Sequence, residues 1–161
     1  MMGKPLSDKA SEVLASVQPD ELLKLENQLC FPLYACSKEV VHRYAPYLDE
    51  LGLTYTQYLV MLALWEHGTM SVTQLGELLY LDSGTLTPLL KKMEAKGYVT
   101  RTRSASDERR VDVALTEAGS DLKVRARSVP LNMGACVNLS FEEGVQLVSL
   151  LRKVLGNVRA S

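Results

Sequence analysis

No apolar run approaches the ~20 residues needed to cross a bilayer, which argues against a helical membrane protein. The opening stretch MMGKPLSDKASEVLASVQPD is polar, carries Pro5 and Pro19, and lacks the apolar centre of a signal peptide. A cytoplasmic location without a membrane partner is therefore expected. Cysteine is sparse: Cys30, Cys36 and Cys136 make neither an even-numbered secreted framework nor a CxxC spacing. In a reducing compartment such thiols are buried, free or redox-sensing, and disulfides form only transiently. The two histidines, His42 and His67, have no partner at metal-ligand spacing, so no metal or cofactor is expected. Neither sign of charge dominates, with 18 Lys and Arg against 19 Asp and Glu. Bulk charge gives no reason to expect nucleic acid.

What is present starts from an ordinary balance. An apolar content of 47% with 23% charged residues suits a folded chain, and 161 residues suit one domain with a real core or a compact oligomer subunit. The neutral average hides an asymmetry. Between Lys91 and Arg110, seven basic residues (Lys91, Lys92, Lys96, Arg101, Arg103, Arg109 and Arg110) stand against three acidic ones (Glu94, Asp107 and Glu108), a local excess of four. Charge gathered in one segment is what a phosphate-facing surface needs.

Helix signals recur along the chain. Pro32 suits a first helical turn, where its missing N–H costs nothing. That helix is expected from Phe31–Pro32 through LYACSKEVVHRYAPYLDEL, kinked or broken near Pro46 and stopped at Gly52; PDELLKLENQL reads as a helix before it. Thr54-x-x-Gln57 and Ser71-x-x-Gln74 are capping boxes opening YTQYLVMLALWEH, which Gly68 closes, and VTQLGELLY. The turn Tyr80-Leu81-Asp82 leads into SGTLTPLLKKMEAK, which Gly97 ends. Two β-like runs, YVTRTR and VDVALT, flank the polar turn SASDER. Thr116 caps a helix from Glu117, disturbed around Pro130 and Gly134, and Ser140-x-x-Glu143 opens the last, FEEGVQLVSLLRKVLGNV. The expected fold is mainly α with a small β-hairpin wing: a winged helix-turn-helix flanked by long helices at both ends.

A tight turn followed by a helix that starts with small hydroxylated residues is the arrangement that enters a major groove. Ser83, Thr85 and Thr87 are expected to reach base edges and phosphates, with backbone N–H groups at the same helix start favouring phosphate. Lys91 and Lys92 follow, and Arg101 adds to the basic face. Arg109 and Arg110 at the hairpin tip are long enough for an A·T-rich minor groove, with Asp107 placed to hold Arg109. Helix-turn-helix geometry also serves structural roles, but the concentrated charge and hydroxyls favour double-stranded operator DNA as the partner.

Cys30 lies between Leu29 and Phe31 and just ahead of Pro32. It is either a small buried hydrophobe or a thiol at a helix start. In the second case the positive end of the helix dipole favours the thiolate, and Leu29, Phe31 and Leu33 make a pocket that favours an apolar peroxide over hydrogen peroxide. Cys36 lies six residues on, a net rotation of about 240° along a helix, so it faces away from Cys30 and reads as a packing residue.

The stretch SVTQLGELLYLDSGTLTPLLKKMEAKGYVTRTRSASDERRVDVALTEAG closely resembles the core of MarR-type repressors, with DER in the wing and LTEAG opening the next helix. LENQLCFPLYACSKEV is similar to the start of organic hydroperoxide resistance regulators (OhrR type), which carry a sensing cysteine there. The resemblance runs from about Leu25 to about Val158. It implies a homodimeric repressor whose Cys30 is oxidised by an organic hydroperoxide as inducer. It further implies that Tyr44 and Tyr55, by their spacing from Cys30, donate hydrogen bonds to the thiol or its sulfenic acid. Cys136 would resolve the sulfenic acid into a disulfide with the other subunit, as in two-cysteine members. Taken alone, Tyr44 and Tyr55 read as core or interface aromatics, and Cys136 as part of a packed helix terminus. The implied organisation is an N-terminal extension at 1–24, a dimerisation and sensor region at 25–53, the winged helix-turn-helix at 54–116 and C-terminal dimerisation helices at 117–161. No enzymatic activity is expected. Two alternatives stay open: a repressor of the same fold released by a small phenolic ligand, and a thiol peroxidase using Cys30 and Cys136, for which the basic wing has no use.

Overall fold

The computed structural model describes residues 18–103 and 110–160. The stretch PDELLKLENQL is not one helix: it forms a short helix α1 (Pro19–Leu22) and a 3-10 turn at Leu25–Asn27. The Asn27 amide donates to the Glu21 carbonyl at 2.7 Å and the Gln28 amide to that of Leu22, so side chains take backbone acceptors that a continuing helix would use. Helix α2 (Cys30–Asp49) begins one residue earlier than expected, which keeps Pro32 in its first turn. It also passes through Pro46 without a break. Pro46 removes one backbone hydrogen bond, but Leu48 is buried just beyond it and Leu51 and Leu53 follow in the core, so packing holds the helix end in place.

Helix α3 (Tyr55–His67) opens on the expected capping box: Gln57 N–H donates to Thr54 Oγ1 at 3.4 Å and Thr54 N–H to Gln57 Oε1 at 3.1 Å. Strand β1 (Met70–Ser71) leads to α4 (Val72–Leu79), whose box pairs Ser71 with Gln74. Tyr80 ends α4 in the left-handed region at φ 57°, and Leu81 N–H turns back to the Gly76 carbonyl at 2.9 Å. That return leaves no space at Gly76, where a Cβ would meet the Leu81 oxygen at 2.8 Å. Helix α5 (Ser83–Ala95) follows and buries Leu86, Leu90 and Met93 against Leu75 of α4.

Strands β2 (Val99–Arg103) and β3 (Val111–Leu115) form the expected antiparallel hairpin, pairing Val99 with Leu115 and Arg103 with Val111. The sheet has a third strand that the sequence did not suggest: β1 pairs Met70 with Val113, giving the order β1-β3-β2. Two residues are too few to show alternation, and Ser71 reads as a helix cap.

Thr116 caps α6 (Glu117–Ala126) as expected. The disturbance near Pro130 lies earlier than expected, because α6 ends before Arg127 and α7 (Ser128–Val137) begins at once. The break puts Pro130 in the first turn of α7, where no intrahelical donor is required of it. The Ser140 and Glu143 capping box opens α8 (Phe141–Arg159).

The chain divides into two compact units, Val41–Ala135 and a second made of Met1–Val40 with Cys136–Ser161. Every described residue with a buried side chain belongs to the first, including Leu48, Val60, Met61, Leu64, Leu75, Leu90, Val99, Val113 and Val129. In the second unit α8 buries nothing, although Leu147, Leu150, Leu151, Leu155 and Val158 recur at helical spacing.

Among the described glycines Gly119 has the least room: a Cβ there would stand 2.0 Å from the Tyr98 carbonyl oxygen. Gly119→Ala is expected to lower stability by about 3 kcal/mol or more, since neither α6 nor the start of β2 can retreat without repacking. Denaturant unfolding checks this, and an unchanged midpoint would show that the approach is not rigid.

Candidate nucleic-acid interface and thiol sites

Asp82 builds the start of α5. Its Oδ1 accepts the Thr85 N–H at 2.9 Å and its Oδ2 accepts the Thr85 hydroxyl at 2.9 Å. These bonds, led by the Thr85 N–H, hold the Asp82 carboxyl below the usual carboxylate range. The Thr85 N–H at this helix start is therefore already taken by a carboxylate of the chain, which leaves fewer backbone donors there than expected. Ser83, Thr85 and Thr87 are exposed on the first turns, as are Lys91 and Lys92 further along.

The wing carries its cations differently from the expectation. Arg101 forks onto Glu94 of α5, with Nη2 at 2.9 Å and Nε at 3.0 Å from Oε2, while its backbone N–H donates to Oε1 at 3.2 Å. That guanidinium braces β2 against α5 instead of projecting outward. Arg110 Nε lies 2.8 Å from Asp112 Oδ1 and remains exposed. Asp107 and Arg109 lie outside the described residues.

Cys30 is the first residue of α2 and is exposed, with Leu29 and Phe31 exposed beside it and Leu33 half-buried. Cys136 is exposed at the penultimate position of α7. Cys36 is exposed as well, so within one chain it does not pack as expected: the described side chains of the second unit form no buried core for it to enter.

Tyr44 and Tyr55 are brought together, their ring centroids 4.9 Å apart. Tyr58 joins them at 6.0 Å from Tyr44, and Trp65 lies 6.4 Å from Tyr58 in an edge contact. Burial raises the pKa of all three tyrosines, so their hydroxyls stay protonated and able to donate. Tyr58 was missed in the sequence, although it follows Tyr55 by three residues and so shares its helix face. Trp65 is half-buried and donates through Nε1 to the Gly119 carbonyl at 3.0 Å. Beside it lies a crevice of about 510 Å³ lined by Tyr58, Leu62, Trp65, Lys123, Arg127 and Pro130. Among the described residues no helix is long and apolar enough to cross a membrane.

A reading helix with hydroxyls and lysines exposed along it, entered by a tight turn and followed by a three-stranded antiparallel wing, defines a winged-helix DNA-binding regulator. Comparison with known proteins agrees: residues 43–125 match the model of the family Transcriptional regulator SarA/Rot. The Organic hydroperoxide resistance transcriptional regulator of Bacillus subtilis is 54% identical over 128 residues, which cover 80% of this chain and 85% of the relative. The HTH-type transcriptional regulator SarZ of Staphylococcus saprophyticus is 44% identical over 80% of this chain and 88% of its own. Among solved structures, reduced AbfR bound to DNA superposes with a TM-score of 0.76 at 33% identity, covering 89% of this chain and 98% of that one. AbfR, from Staphylococcus epidermidis, is also solved in an overoxidised DNA-bound form and a disulfide form. The chain belongs to the organic hydroperoxide resistance and SarZ type of transcriptional regulator, within the MarR-like winged-helix proteins. These relatives are transcriptional regulators.

The lowered Asp82 carboxyl sets a pH test. A folded value below the unfolded one, near 4, means that the cap contributes fully above that pH and is lost as pH falls through the folded value. Asp82→Ala should therefore be less stable than the parent at pH 7, with the gap narrowing at acid pH. Denaturant unfolding between pH 7 and pH 2 measures the gap, and a constant difference would count against the cap.

Proposed function

We propose that this chain is a cytoplasmic peroxide-sensing repressor. As a homodimer it holds double-stranded operator DNA while Cys30 is reduced, and it lets go when an organic hydroperoxide oxidises Cys30. The observation that carries this reading is an exposed thiol at the head of α2, whose other end is set in the unit that contains α5. The Cys30 thiolate attacks the outer peroxide oxygen; the O–O bond breaks, the sulfur is oxidised to a sulfenic acid, and the alkoxide takes up the proton that the thiol had released and leaves as its alcohol. The thiol of Cys136 of the partner subunit then displaces water from the sulfenic acid to form an intersubunit disulfide. Tyr44 and Tyr55 serve as hydroxyl donors in the sensing site, and Leu29, Phe31 and Leu33 favour apolar peroxides. Support comes from AbfR, whose solved states include reduced, overoxidised and disulfide forms.

Dimerisation is supported by the unburied apolar stripe of α8 and by the exposed apolar side chains beside Cys30. Two winged units would then meet half-sites about one helical turn apart. Ser83, Thr85 and Thr87 read base edges, Lys91 and Lys92 meet phosphates, and Arg109 and Arg110 serve the minor groove. Arg101 acts through Glu94 as a brace. The crevice beside Trp65 favours a second reading, release by a small phenolic ligand; Glu66 and Arg127 both line it, and Lys123 there donates to the Trp65 carbonyl at 3.0 Å.

Cys30→Ser is expected to keep its duplex affinity and to stay bound after cumene hydroperoxide, while the parent releases. Release of that variant by the hydroperoxide would sink the thiol reading in favour of the crevice. Cys136→Ser should still respond but give no covalent dimer on non-reducing electrophoresis. Lys92→Ala should weaken binding to all duplexes alike and reduce the salt-dependence slope by about one, measured by titration at several salt concentrations.

A further inference from the structure

Five consecutive carbonyls close the C-terminal end of α2, and side chains from distant parts of the chain hold the last three. Leu48 accepts from the N–H groups of Leu51 and Leu53 at 3.0 and 2.9 Å, and Asp49 from that of Gly52 at 3.0 Å. Glu50 accepts from Arg125 Nη2 at 2.5 Å, Leu51 from the Tyr98 hydroxyl at 3.3 Å and Gly52 from Lys96 Nζ at 2.6 Å. The donors come from α6, from the residue before β2 and from the residue after α5. Lys96 also lies 3.4 Å from Gln57 Oε1, the same atom that caps α3.

Carbonyls at a helix C-terminus carry the negative end of the dipole, so cationic donors bind them more strongly than neutral ones. Two of these three donors are cations. Gly52 sits at φ +66°, where a Cβ would stand 3.3 Å from the Tyr98 hydroxyl, so the turn and its donor fit closely. Leu48, Leu51 and Leu53 are buried beneath, and this end cannot slide without disturbing the core.

We infer that Lys96, Tyr98 and Arg125 are positioning residues that lock the C-terminal end of α2 to the end of α5 and the base of the wing. A displacement of α2 is thereby delivered to the reading helix. The regulatory meaning rests on Cys30 being the sensor at the opposite end of α2; the mechanical coupling does not.

Tyr98→Phe and Lys96→Met, singly and together in the full chain, test this in two arms. In the first, the ratio of duplex Kd after and before cumene hydroperoxide should fall about 3-fold or more from parent to double variant. The second needs no oxidant, because coupling between sites is reciprocal. Duplex binding should slow amide hydrogen exchange across residues 42–53 in the parent, and the double variant should lose that response while still binding duplex. Equal slowing in parent and double variant, or none in the parent, overturns the inference. A drop in thermal midpoint with both responses intact does the same, since it marks a merely structural role. A parent that shows the exchange response but ignores the peroxide upholds the coupling and sinks the sensor reading. Should the double variant fail to fold, Tyr98→Phe decides, since it removes one hydroxyl and keeps the ring.

Discussion

Much of this structure depends on how closely α6 passes the start of β2. With no side chain at Gly119, the chain comes close enough for Thr116 N–H to reach the Tyr98 carbonyl at 3.1 Å and for Trp65 to reach the Gly119 carbonyl. The wing, α3 and α6 thus meet at one point, and the Tyr98 ring, fixed there, carries its hydroxyl to the end of α2. A larger residue at 119 would disturb more than local packing. It would move the element that links the reading helix to the helix carrying Cys30.

Burial divides the molecule unevenly, and that division has energetic consequences. The unit 41–135 holds all the described buried side chains. Helix α8 has caps and a repeating apolar stripe but buries nothing, and a helix of 19 residues gains little in water from propensity alone. Its apolar side chains need another surface, which is the physical case for the proposed dimer. It also explains why exposure of Cys30 and Cys136 in one chain is compatible with a sensing site shared between two.

What could be read from the sequence was mostly local. The boxes at Thr54, Ser71 and Ser140 each join residues three apart, and all three form as expected. The hairpin was legible because two β-rich runs flank a polar turn. What escaped was set by contacts far along the chain. Strand β1 exists only because β3 pairs with it, and the break at Arg127 reflects where Pro130 can be placed. Cys36 looked like packing because helical rotation separates it from Cys30; rotation says nothing about whether a core lies on the other side. The bonds from Lys96, Tyr98 and Arg125 span 44, 47 and 75 residues and leave no mark in any local motif.

The basic segment shows the same limit in electrostatic form. The local excess of four between Lys91 and Arg110 already counts Glu94, so pairing Arg101 with it leaves the long-range field unchanged. Pairing does change how many cations are left to meet phosphates individually. Lys96 is committed to Gly52, Arg101 to Glu94, and Arg110 shares Asp112. Steering toward DNA follows the net charge, whereas the salt dependence of the bound state follows the number of direct contacts. On the proposed reading, the whole basic segment steers DNA in but a smaller set of cations grips it. Lys96 and Arg101 are instead taken up within the chain, at the Gly52 carbonyl and at Glu94.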